Sequence, residues 1–199
     1  MATLDLSEMQ LEAMKEVGNI GAGHAATALS EMLNESVQIS PPTVEILPFA
    51  SLAGRVSRGG RIVSAVHMDV HGDAPCQIVV LFERAQALGF VDIFVSRTPE
   101  NEAIFDSLVE STIKEVGNII GGAYLTALTS LTGVTLIASV PTLSTGTAES
   151  TFLELIHVPP DQDVLYVQTG FEKSRPIAGE FILIPEPQSI APLLSVFGL

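Results

Sequence analysis

Cationic residues are scarce in this sequence: nine Lys and Arg stand against 23 Asp and Glu, a formal net charge of −14. A field of that sign repels phosphate backbones and excludes nucleic acid as a partner. It favours cation-bearing partners and keeps an apolar chain in solution. Cysteine is nearly absent too. One residue, Cys76, can form neither an internal disulfide nor a cysteine zinc cluster, which fits a reducing cytoplasm. The first ten residues, MATLDLSEMQ, carry acids, and no basic residue precedes Lys15, so they do not read as a signal peptide. Charged residues of either sign make up only 16% of the chain, against 47% hydrophobic, and the mean hydropathy is +0.43. Disorder is excluded on that balance. The 199 residues suffice for one large domain or two small ones, burying roughly 70% of the unfolded surface.

From Val116 to Ala148 no residue is charged, a stretch long enough to cross a bilayer. It also holds Asn118, Pro141, several glycines and many Ser and Thr, whose polar groups would each need an internal partner in lipid. A buried helix followed by a buried strand accounts for it, with no membrane insertion.

What the sequence does contain is a repeat. Glu16-Val17-Gly18-Asn19-Ile20 recurs as Glu115-Val116-Gly117-Asn118-Ile119, 99 positions later. At the same offset Gly23 matches Gly122, Thr27-Ala28-Leu29 match Thr126-Ala127-Leu128, and Pro42-Thr43 match Pro141-Thr142. The chain is a duplication and reads as a single domain over residues 1–199, made of two repeats at about 1–99 and 100–199.

Each half runs in the same order. Helical spacing predicts a helix over Ser7 to Leu33 and another over Glu100 to Thr132. Strand-like runs follow: Thr43 to Phe49, Arg61 to Val70 and Gln77 to Glu83, then Ser150 to His157, Val164 to Phe171 and Ile177 to Ile184. Val66, Met68 and Val70 alternate with His67, Asp69 and His71, which predicts a strand with one wet face. Ala85 to Val95 and Ser189 to Phe197 read as short closing helices. Arg58-Gly59-Gly60 and Pro159-Pro160-Asp161 mark turns. The fold class is α+β with pseudo-twofold symmetry: long motif helices packed on antiparallel strands.

Within each motif, Glu and Asn stand three apart, on one helix face and about 5–6 Å apart at Cβ. The residue before each Asn is Gly18 or Gly117, which costs about 1 kcal/mol inside a helix relative to Ala. A glycine kept beside an exposed carboxylate–carboxamide pair predicts close approach by a neighbouring helix or by a partner's backbone. The bland alternative is helix packing through small residues with Glu and Asn merely solvated. Repetition of Glu, Asn and the later Pro at one offset shifts the weight to function.

The pattern Asp/Ser-x3-Glu-x2-Asn-x22-Pro is similar to the signature of the CheC/CheX/FliY chemotaxis phosphatases. The second copy fits throughout, with Ser111, Glu115, Asn118 and Pro141. The first fits at Glu16, Asn19 and Pro42, with Glu12 where the family shows Asp or Ser. Two copies argue against the single-motif CheX branch, and the chain length leaves no room for the extra switch domain of FliY-like members. The resemblance implies a CheC-like fold and an aspartyl-phosphate phosphatase acting on a CheY-type response regulator. It also implies a CheD-type receptor deamidase as a second partner. Asn19 and Asn118 would orient the in-line water, a carboxamide offering donor and acceptor without charge. Glu16 and Glu115 would pair with the regulator's active-site lysine. Mg²⁺ would be held by the regulator, with no cofactor or metal on this chain. Pro42 and Pro141 would end or redirect the segment behind each site. Glu12 places two carboxylates at i and i+4, which predicts mild repulsion and an active or weakened first site. The sites should act independently. The alternative is a receiver- or CheD-binding adaptor without turnover, using the same surface.

Weaker signals point elsewhere. His67, Asp69, His71 and Asp73 would share a strand face and could hold a metal, but scattered solvated residues explain them more simply. Gly18, Gly21 and Gly23 lack the preceding strand and the following Gly-Lys-Ser/Thr of a phosphate loop. Ser144 and Ser150 lack a Gly-x-Ser-x-Gly elbow. Cys76, at the mouth of an apolar run, reads as an inert packed thiol.

Overall fold

A computed structural model describes residues 4–56, 60–94, 102–172 and 178–199. Arg58, Gly59, Val95, Glu100, Ile177 and the expected repeat boundary at 99/100 lie outside the described residues. The first repeat contains α1 (Glu8–Leu33), β1 (Gln38–Ile39), β2 (Thr43–Pro48), α2 (Phe49–Val56), β3 (Ile62–Gly72), β4 (Cys76–Glu83) and α3 (Arg84–Phe94). The second contains α4 (Glu102–Thr132), β5 (Leu136–Ala138), β6 (Thr142–Thr147), α5 (Ala148–Leu155), β7 (Asp163–Glu172), β8 (Ala178–Pro185) and α6 (Ile190–Leu194), with one turn of 3₁₀ helix on either side of α6. The order of elements is the same in both, as a duplication requires.

Among the described residues all strand pairs are antiparallel and belong to one curled sheet, ordered β1-β7-β8-β4-β3-β5, with β2 also on β7 and β6 also on β3. The centre of this order is the pairing of β4 with β8, where Val79 faces Ile182 and Val80 faces Phe181. A pseudo-twofold axis passes there. The opening strands are exchanged between repeats: β2 lies on β7 in the register Val44↔Val167, and β6 lies on β3 in the register Leu143↔Val66. Neither repeat therefore completes its own sheet.

Alternation along the strands sends neighbouring side chains to opposite faces, and here both faces are covered. Ile78, Val80 and Phe82 join α1, α3 and α4 in one core, with Leu165, Val167, Phe181 and Leu183. Val79 and Leu81 join α2 and α5 in the other, with Tyr166, Ile182 and Ile184. This double covering explains why β4 and β8 read as unbroken apolar runs rather than alternating ones. It also corrects the wet face expected on β3. Val63 and Ala65 are buried under α2 and α5, and His67 on the same side is only 7% exposed; the wet residues are Asp69 and His71 at the strand's far end.

The helix ends have local causes. Ser7 caps α1 through a capping box: its hydroxyl accepts from the Gln10 N–H, and the Gln10 side chain accepts from the Ser7 N–H at 3.0 Å. Such a cap contributes about 1 kcal/mol. The prolines do not end the motif helices. Asn34 (φ 50°) and Gly133 (φ 73°) do so, and Pro42 and Pro141 instead separate β1 from β2 and β5 from β6.

Two short helices depart from the sequence expectation. Ser150 to His157 is not a strand: residues from Ala148 to Leu155 form α5, capped by Thr147, whose hydroxyl accepts from the Ser150 N–H. Its counterpart α2 begins at Phe49, where the sequence predicts the end of a strand, and covers residues to which the sequence assigns no element. Phe49, Leu52, Ala53 and Val56 are buried at helical spacing there, and Phe49 stacks on Phe152 of α5 with ring centroids 5.6 Å apart. The charge-free stretch after Val116 divides between α4, a left-handed turn and the strands β5 and β6, which are half-buried rather than the buried strand expected. No described helix is long and apolar enough to cross a membrane.

Candidate functional site

The motif residues divide between the two sides of each long helix. On α1, Ala13, Met14, Val17, Gly18 and Gly21 are buried, while Glu12, Glu16 and Asn19 are exposed. On α4, Ile113, Val116, Gly117 and Ile120 are buried, while Ser111, Glu115 and Asn118 are exposed. The duplicated sequence thus presents the same carboxylate–carboxamide pair to solvent twice, on adjacent helices packed on the same face of the sheet. Gly21 admits the ring of Tyr124 between α1 and α4, where a Cβ would come within 2.6 Å of Tyr124 Cε2. Tyr124 in turn stacks on Phe181 at 4.2 Å.

The motif glycines have a different explanation from the one expected. Within this chain the close neighbour of each is a strand rather than a helix. A Cβ on Gly18 would sit 2.6 Å from Val167 Cγ1 and 3.3 Å from Pro42 Cβ, and a Cβ on Gly117 would sit 2.6 Å from Val66 Cγ1. Carbon atoms pack at about 3.5–4.0 Å, so glycine is what lets each helix descend onto the sheet beside its Asn. Pro42, half-buried, supports the first helix from below. Pro141 is half-buried at the corresponding turn before β6.

Lysine was missed in the sequence, although the repeat extends back to Lys15 and Lys114 at the same offset. Lys15 pairs with Glu12 at 2.5 Å, and Lys114 with Glu110 at 2.7 Å. The mild repulsion expected between Glu12 and Glu16 is thereby offset, because Lys15 occupies Glu12. Ser111, at the position of Glu12 in the second copy, donates to the Ser107 carbonyl of its own helix at 2.9 Å. Among the described residues neither Glu16 nor Glu115 has an ion-pair partner, so each presents a free carboxylate next to its Asn.

The other candidates disperse. Among the described residues no group of three or more His, Cys, Asp or Glu converges as a metal site. His67 is buried against Gln77, with Nε2 3.3 Å from its Oε1, whereas Asp73 accepts from the Thr135 N–H at 2.8 Å. Ser144 donates to Glu154 at 2.7 Å, and Ser150 bonds to Thr147. Cys76 is buried, and burial pushes its thiol up to about 12.

Comparison with known proteins agrees with this layout. The CheC-like family model matches residues 9–46 and 108–145, the motif helices with the turns and strands that follow. The CheY-P phosphatase CheC of Bacillus subtilis is 31% identical over 141 residues, covering 70% of this chain and 68% of that protein. The flagellar motor switch phosphatase FliY of the same organism is 47% identical over 49 residues, 25% of this chain and 13% of that one. Thermotoga maritima FliY shares the fold with a TM-score of 0.76 at 21% identity, covering 97% of this chain and 98% of the other. The fold also matches the CheX–CheY–BeF3–Mg²⁺ complex of Borrelia burgdorferi, at TM-score 0.57 and 17% identity over 86% of this chain and 96% of that one. With the repeat, the motif spacings and the shared fold in agreement, the chain belongs to the CheC-like family.

Proposed function

We propose that this chain hydrolyses the aspartyl phosphate of a CheY-type response regulator, using one site on α1 and one on α4. The observation that carries the reading is the paired exposure of Glu16 with Asn19 and Glu115 with Asn118, the carboxylates free of ion pairs among the described residues. Water attacks phosphorus in line, the bond from phosphorus to the aspartyl oxygen breaks, and phosphate leaves with the regulator's carboxylate restored. Little covalent work falls to the phosphatase; positioning is the larger part. Asn19 and Asn118 hold the water through an uncharged amide, which does not repel the phosphoryl oxygens. Glu16 and Glu115 receive the regulator's lysine as a charge-assisted contact that sets the register of each helix. The strongly negative chain favours that cationic approach. Mg²⁺ belongs to the regulator, a reading supported by the CheX–CheY–BeF3–Mg²⁺ complex of Borrelia burgdorferi. A CheD-type deamidase is a second proposed partner, on family resemblance alone.

The test is decay of a phosphorylated CheY-type receiver in Mg²⁺ with the wild-type protein, Asn19→Ala, Asn118→Ala and the double variant. Acceleration retained in each single variant and lost in the double one establishes two working sites. Loss with Asn118→Ala alone makes the first site inactive. Binding of the receiver without acceleration replaces the phosphatase with an adaptor.

A further inference from the structure

The support beneath the two sites is crossed between repeats. Gly18 of the first repeat rests on Val167 of β7 in the second, and Gly117 of the second rests on Val66 of β3 in the first. The exchange of opening strands produces this arrangement, since Val167 is paired with Val44 and Val66 with Leu143. Both valines are fully enclosed, at 1% and 0% exposure. Their β-branched side chains have few alternative rotamers, and interiors packed to crystal density resist displacement.

We propose that Val167 and Val66 are positioning residues that set the height of the Glu/Asn pairs, each acting on the site carried by the opposite repeat. The proposal rests on the phosphatase reading. Asn19 directly follows Gly18, and Asn118 directly follows Gly117, so a shift of the helix at the glycine moves the carboxamide with it. An added methyl at Gly18 would need about 1 Å of displacement from Val167 to reach ordinary contact distance. A misplacement of that size, where the helix takes it up, is enough to cost about 10²-fold in turnover. Alanine is the better helix former, so such a loss would come from position and not from an unwound helix. Val167→Ala removes the Cγ1 atom that Gly18→Ala would strike and leaves Pro42, whose 3.3 Å approach needs only a few tenths of an ångström.

The experiment uses the full chain with one site disabled. Glu115→Arg with Asn118→Ala leaves the first site; Glu16→Arg with Asn19→Ala leaves the second. In the first-site protein, Gly18→Ala is expected to lower kcat for receiver dephosphorylation by about 10²-fold, and Val167→Ala added to it restores most of the loss. In the second-site protein the same two substitutions leave kcat within about twofold, because Val167 and Val66 lie three strand spacings apart, on β7 and β3, roughly 14 Å and beyond the usual reach of coupling. Val66→Ala added to Gly18→Ala gives no rescue. Thermal unfolding of each variant separates positioning from instability, because a global loss of stability lowers both sites together. The proposal is overturned if Val167→Ala fails to rescue a folded Gly18→Ala variant, or if both sites lose activity equally. Absence of turnover in the wild-type protein and in both single-site parents would instead sink the phosphatase reading. Affinity for a beryllofluoride-activated receiver then decides the positioning claim with the same variants: weakening by Gly18→Ala and recovery with Val167→Ala uphold it, and no change overturns it.

Discussion

Asn34 and Gly133 occupy the same position of the two repeats, 99 residues apart, and both hold the backbone in the left-handed conformation that ends a motif helix. The Asn34 N–H donates back to the Glu31 and Ser30 carbonyls, and the Gly133 N–H donates to the Thr129 carbonyl at 2.8 Å. One position thus solves the same backbone problem with the two residue types that tolerate it best.

Replacing Gly133 with Val should destabilise the fold by about 1–2 kcal/mol, the cost of a β-carbon in that region. Asn34→Gly should be neutral or slightly stabilising. Urea unfolding midpoints check both, and equal losses at the two positions would contradict the assignment.

Glu12 is the residue by which the first site departs from the second. Because Lys15 pairs with it on an exposed face, Glu12→Ser should change stability by less than about 1 kcal/mol. The substitution removes one carboxylate from the turn before Glu16 and leaves the Lys15 ammonium unpaired there, which makes the local field less attractive to an arriving cation. Affinity of the first site for a receiver should weaken by a few fold, with the second site unchanged; titration of each single-site protein measures the difference.

Burial holds the His67 imidazole below its ordinary pKa, opposed by the Asp69 carboxylate and the Gln77 hydrogen bond and assisted by His157. The unfolded chain takes up a proton near pH 6.5 that the folded His67 resists. Its contribution to stability is therefore complete above that pH and declines as the pH falls below it. His67→Gln should flatten this decline, read as a smaller loss of unfolding midpoint between pH 7.5 and 5.5 than in the wild type.

Cys76 should be inert. A thiol held near 12 is almost wholly protonated at pH 8, and the thiolate is the reactive form. A disulfide-exchange reagent should label the native protein only at its rate of opening, and the denatured protein at once. The same shift means that the neutral thiol's contribution is intact below about pH 8.5 and lost as pH rises toward 12.

Much of this was legible without coordinates. The duplication, the two motif helices and the exposure of Glu16, Asn19, Glu115 and Asn118 follow from periodicity, because residues three and four apart share a helix face. The helices α2 and α5 did not. Eight residues hold barely two turns, too few for helical spacing to declare itself, and only the stacking of Phe152 on Phe49 shows which side of the segment is buried. His67 was misread for a related reason: period two says that one face differs from the other, and only the covering helices decide whether either is wet.

Sequence alone determined what each helix presents, since the order of residues along a regular helix dictates its faces. Tertiary structure decided what lies beneath. That Gly18 rests on Val167 and Gly117 on Val66 depends on strands exchanged across a pseudo-twofold axis. Contacts between residues 149 and 51 positions apart leave no trace in local spacing, because only the assembled sheet brings them together.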